Sequence, residues 1–145
     1  MSTQTTKTPD AIAPRRRLGR SIWAVVAGFI AVVVLSIGTD AVLRALQVFP
    51  PIGQRMLDKL FLIATIYRAV YAILGSYITA RLAPDRLMAH ALIGGIIGLI
   101  LGSVGAAVTW NRAEVGPHWY PLALVVTALP CAWMGGKIRE LEIKK

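Results

Sequence analysis

Apolar positions in this chain are gathered into long blocks instead of alternating residue by residue. Ser21 to Thr39, Leu60 to Ala80, Leu87 to Thr109 and Trp119 to Gly136 each come close to the roughly 20 residues an α-helix needs to cross a hydrocarbon core of about 30 Å. Between them lie helix breakers and polar runs: Phe49-Pro50-Pro51-Ile-Gly53, Ala83-Pro84-Asp85-Arg86, and Gly116-Pro117-His118-Trp119-Tyr120-Pro121. The pattern predicts an all-α, integral membrane four-helix bundle over residues 21–138. Its spans fall at about 21–46, 60–81, 87–110 and 119–137, arranged as two tandem helical hairpins. Residues 1–20, Thr-rich and then basic, read as a disordered cytoplasmic tail, and 139–145 as a second tail. Pro130, inside the fourth span, predicts a kink.

The third block sharpens this reading. Gly94, Gly95, Gly98, Gly102 and Gly105 place five glycines within twelve residues, a density that weakens a helix in water. Ala91, Gly95, Gly98, Gly102, Gly105 and Thr109 recur three or four apart and so share one helical face. In lipid, small residues let neighbouring helices approach closely, and the stripe is expected to be a packing seam. Whether it closes within one bundle or between two copies is left open by the pattern.

Composition agrees: the 145 residues are 56% hydrophobic and 16% charged. The net charge of +9 acquires meaning from its placement. Eleven of the sixteen Lys and Arg lie on the N-terminal tail, the second loop and the C-terminal tail, four lie on or beside the first and third loops, and Arg68 lies within a span. The positive-inside rule then puts both termini in the cytoplasm, with lipid, not nucleic acid, as the surface the basic residues meet. The Arg15-Arg16-Arg17 run before an apolar block also resembles a signal-peptide n-region, but three further spans favour an uncleaved first helix. Cys131 is the single cysteine, which excludes an intramolecular disulfide and a cysteine metal cluster.

Matches at fixed offsets fit either an internal repeat or the chance alignment of a small apolar alphabet. Ser36-Ile37-Gly38 matches Ser103-Val104-Gly105, with Gly28 opposite Gly95, and Ala72, Gly75 and Ile78 match Ala132, Gly135 and Ile138. Two copies of one hairpin would be related by an axis along the membrane normal. At the positions of Asp40 and Arg68 the second copy has Ala107 and Ala128.

Arg68 is the strongest chemical clue, because an arginine mid-span is costly and faces a partner or a cavity. Asp40 lies at a depth where the two can meet, as a structural ion pair or as an outward-opening ligand site; pairing of Asp40 with Arg44 one turn away is the alternative. The third loop gathers Asn111, Arg112, Glu114, His118, Trp119 and Tyr120, best explained as an interfacial aromatic belt with a solvated loop. The chain has no HExxH, P-loop or dinucleotide fingerprint and implies no cofactor or metal. His90 is expected to bond a backbone carbonyl, and Cys131 to be a small buried apolar residue.

With Phe49-Pro50-Pro51, Ile66-Tyr67-Arg68-Ala69-Val70-Tyr71, Thr109-Trp110-Asn111 and Gly116-Pro117-His118-Trp119-Tyr120-Pro121, the chain resembles the small uncharacterised four-helix inner-membrane proteins of bacteria. That resemblance implies a bacterial plasma-membrane location and attaches no activity. Small multidrug transporters also have four short helices, but they carry a glutamate in the first span, which this chain lacks. The expectation is a non-enzymatic accessory or scaffold subunit, monomeric or homodimeric or bound to a membrane-protein partner. A small transporter or channel-like protein with a vestibule around Asp40 and Arg68 is the alternative, and a membrane enzyme using Glu114 and His118 comes third.

Overall fold

The structure, a computed structural model, describes residues 14–112 and 116–145. These form four helices, α1 (Pro14–Ala45), α2 (Asp58–Leu82), α3 (Leu87–Thr109) and α4 (Trp119–Ile143), with no strand among the described residues. All four are long and apolar enough to cross a membrane. Among the described residues α1 reaches back to Pro14, seven residues before the expected Ser21. Likewise α4 runs on to Ile143, past the expected boundary near 137. Pro130 sits within α4 without ending it, although it withdraws the donor that the Val126 carbonyl would otherwise receive.

Helix ends explain how the loops are aimed. After α1, Val48 N–H donates to the Leu43 carbonyl and Gln47 N–H to the Arg44 carbonyl, the two bonds of a Schellman motif. Gln47 occupies the left-handed position at φ 59°, where glycine is usual. Phe49 N–H bonds back to Leu43 as well, and the Phe49 ring is buried. The chain thus folds back over the end of α1 before Pro50-Pro51 releases it.

Packing is inside-out relative to a protein in water. Among the described residues seven of the ten buried apolar ones are alanines, whereas Val34, Ile37, Ile66 and Val126 are all more than half exposed. Small residues on the inside and bulky aliphatics on the outside are what a lipid solvent rewards, since lipid tails are as apolar as leucine and close backbone approach supplies the packing.

Opposed residues give the directions. Gly28 lies against Gly75 and Thr79, while Asp40 meets Tyr67 and Arg68, so α1 and α2 are antiparallel. Gly95 abuts Ala132 and Gly102 approaches Val125, so α3 and α4 are antiparallel too. By contrast Phe61 meets Tyr120 and Ser76 meets Gly135, which makes α2 and α4 parallel and level with each other. These two helices form the centre of the bundle. Gly75 and Gly135, matched in the sequence, lie at about the same level but serve different seams, Gly75 against Gly28 of α1 and Gly135 against Ser76 of α2. The likeness ends at α1, which packs along α2, touches α3 lightly and does not reach α4, whereas α3 packs on both α4 and α2.

The glycine stripe of α3 is divided by this arrangement. Ala91, Gly95, Gly102 and Ala106 form the edge covered by α4; a Cβ on Gly95 would come within 2.5 Å of the Ala132 Cβ. A Cβ on Gly94, Gly98 or Gly105 would meet nothing within 4 Å. At about 100° per residue these three lie on the other edge of the stripe, turned away from α4. Gly94 and Gly98 instead border a shallow apolar groove of about 120 Å³, walled by Val25, Phe29 and Val32 of α1. The seam expected across all five glycines is therefore closed within the chain at Gly95 and Gly102 and open at the other three.

Candidate functional site

Two sequence neighbours on α1 and three residues on α2 meet near the end of the bundle that carries the first and third loops. Arg68 Nη2 donates to Asp40 Oδ2 at 2.7 Å, and the Tyr67 hydroxyl donates to Asp40 Oδ1. One turn along α2, the Tyr71 hydroxyl shares a 2.8 Å hydrogen bond with the Thr39 hydroxyl. Antiparallel packing makes this possible: Thr39-Asp40 and the run Tyr67, Arg68, Tyr71 come to the same depth on facing sides of the two helices. The Asp40 side chain is 18% exposed and that of Arg68 30%, so the pair is largely withdrawn from solvent. Helix α4 closes the third side, with the Arg68 guanidinium carbon 5.7 Å from the centre of the Tyr120 ring, within cation–π range. Tyr120 in turn packs at 5.0 Å on Phe61, whose ring also lies under Gly116. Gly116 holds φ 133°, and a Cβ there would fall 2.6 Å from the Phe61 ring, so only glycine lets the third loop sit this close.

Above the pair is a cavity of about 400 Å³. Asp40, Arg68 and Tyr120 line it from the helices, Arg44 from the last turn of α1, and Phe49 to Gln54 from the first loop. Arg44 does not pair with Asp40 as the i,i+4 alternative required; it makes no ion pair among the described residues. Arg68 Nε is buried without a hydrogen-bond partner.

The third-loop candidates divide. His118 stacks on Trp110 at 4.5 Å, and its Nε2 is hydrogen-bonded to the Trp110 carbonyl at 2.9 Å. Trp110, Asn111 and Trp119 are exposed, as an interfacial belt requires, and Asn111 borders a shallow space with Arg55 and His118. Glu114 lies outside the described residues, so its relation to His118 is not drawn. Among the described residues no three His, Cys, Asp or Glu side chains gather within metal-binding range. His90 bonds the Arg86 carbonyl through Nδ1 at 3.2 Å, and Cys131 is buried, both as the sequence suggests.

Depth along the helices pairs Asp40 with Arg68 in the sequence and places Tyr120 in the interfacial belt, and it does not single out Tyr67 or Tyr71. All three tyrosines belong to the cluster. The signal was present in register: a Thr-Asp pair facing a Tyr-Arg-x-x-Tyr run at equal depth supplies matched donors and acceptors. The cavity roof, by contrast, depends on the Schellman turn at Gln47, which nothing in the composition of that stretch announces. No family model matches this chain, and comparison with curated proteins and with solved structures finds no match.

Proposed function

We propose that this protein is a non-enzymatic multi-pass membrane protein of the bacterial inner membrane, with both termini in the cytoplasm, acting as an accessory or scaffold subunit. The observation that carries the reading is the commitment of the Asp40 carboxylate to partners within the chain. Both carboxylate oxygens of Asp40 are taken by groups of the same chain, and the arginine they hold is covered by Tyr120. A charge committed in this way fixes one helix against another and presents no free acid or base to a substrate. The bulky exposed aliphatics of all four helices add a surface suited to lipid or to a neighbouring span.

Affinity purification from mild detergent, with quantitative mass spectrometry, tests the role: one partner at fixed stoichiometry is expected, and a lone chain from every detergent refutes it. Orientation is tested separately in a Cys131→Ser background. A membrane-impermeant maleimide added to intact cells is expected to label Asn111→Cys and spare Asp85→Cys; the reverse labelling refutes it.

A second reading, a small transporter or channel-like protein, draws on the cavity over Arg68. Solute uptake by reconstituted vesicles that is lost in Arg68→Gln would move it ahead.

A further inference from the structure

The cavity above the ion pair has a charge balance that its own walls do not close. Two guanidiniums, Arg44 and Arg68, face one carboxylate, Asp40, whose two oxygens are already occupied by Tyr67 and Arg68. Arg44 has no acidic partner among the described residues, and Arg68 Nε is buried without an acceptor. The cavity therefore carries a surplus of one positive charge, and the Arg44 guanidinium is a donor group at its edge that no acceptor of the described residues meets. Guanidinium groups are the side chains best suited to a planar oxyanion, which they hold through two parallel hydrogen bonds.

The remaining wall is mostly apolar, with the Gln54 amide and Tyr120 as its other polar groups. Phe49, Pro50, Pro51 and Met56 come from the first loop, and Phe61 from α2. At about 400 Å³ the space lies within the range of small-molecule sites, which are mostly apolar with a few convergent polar groups. A doubly charged guest would exceed the single surplus charge, and a neutral one would leave Arg44 unmatched.

We propose that this cavity binds a singly charged oxyanion carried on an apolar body, with Arg44 as the capturing arm at the mouth and Arg68 as the positive floor. Two sources share that chemistry: a free organic carboxylate, and the phosphodiester headgroup of an anionic lipid from the adjoining leaflet. The site stands independently of any role as a subunit, because it needs only the cavity.

The test uses the full chain in neutral maltoside detergent with 4-fluorobenzoate as probe, followed by fluorine NMR. In parallel, the protein in nanodiscs containing phosphatidylglycerol is released and weighed by native mass spectrometry. Arg44→Gln is the site variant; Arg44 is exposed and unpaired, so the fold should survive, which circular dichroism checks. Arg55→Gln is the control, an arginine of the adjoining first loop that does not line the cavity. Saturable 4-fluorobenzoate binding, weakened about tenfold or more by Arg44→Gln and unmoved by Arg55→Gln, supports the site with a free anion as guest. Retained phosphatidylglycerol lost in Arg44→Gln alone, with no benzoate binding, supports it with a lipid as guest. Binding of neither probe overturns the proposal, as does an equal loss in both variants, which would mark attraction to surface charge.

Discussion

Breaking the Asp40–Arg68 pair one partner at a time should show how far the clasp holds the first hairpin together. Two unit charges about 4 Å apart attract by about 1 kcal/mol in bulk water and about 4 kcal/mol at an effective dielectric near 20. With side chains 18% and 30% exposed and a cavity above them, this pair lies between those limits. A coupling of about 2 kcal/mol is expected. The single changes are not equivalent. Asp40→Asn strands an arginine inside a span and should cost about 2–3 kcal/mol. Arg68→Gln also removes the desolvation cost of the arginine and leaves Asp40 its bond from Tyr67, so its net cost should be nearer 1 kcal/mol. The double variant should then cost about 2 kcal/mol less than the sum of the two. Reversible unfolding in mixed micelles of maltoside and dodecyl sulfate gives all four free energies. Additivity within about 0.5 kcal/mol would show that the contact is geometric only and refute the clasp.

Other outcomes follow from particular contacts. Gly135→Ala should destabilise by about 1–3 kcal/mol in the same assay, because its Cβ would lie 2.7 Å from both Ser76 Cβ and Tyr77 N at the α2–α4 centre. Gly98→Ala should be neutral or stabilising by up to about 1 kcal/mol, since the added methyl meets nothing within the chain and alanine is the better helix former. If Gly98→Ala instead lowers stability or abolishes a crosslinked dimer, the open edge of α3 faces a second copy. Gln47→Gly should raise stability by about 0.5–1 kcal/mol by relieving the left-handed backbone at φ 59°; a loss would refute the strain assigned to that turn. Tyr120→Leu should keep most of the apolar contact with Phe61 yet cost about 1 kcal/mol through Arg68, and that cost should vanish in an Arg68→Gln background.

Element number and type were legible because the solvent imposes them: a helix in lipid must be about 20 residues long and apolar, and the chain has four such blocks. The ends were less legible. Pro14 and Ile143 extend α1 and α4 beyond the apolar blocks, where polar residues still favour a helix but periodicity no longer marks it. Arg68 and Asp40 could be paired by depth alone, since rise per residue is fixed. The role of Tyr120 could not, because it depends on α2 and α4 lying parallel and level, a fact about packing between hairpins. The glycine stripe shows the same limit: spacing identifies one broad face, but only the position of α4 decides which edge of it is covered.

The placement of the Asp40–Arg68 pair bears on how such a chain enters a bilayer. Taken alone, α2 carries an arginine that costs about 2.5–3.5 kcal/mol on the insertion scale. Its counter-charge sits on α1, the span synthesised immediately before it, and among the described residues no acidic side chain of α3 or α4 pairs with it. Delivery of α1 and α2 as a closed hairpin, before α3 is made, lets the arginine reach the lipid already matched. The first hairpin is in this sense a self-contained unit of biogenesis, and the second, with alanines at both equivalent positions, carries no such obligation to enter as a pair.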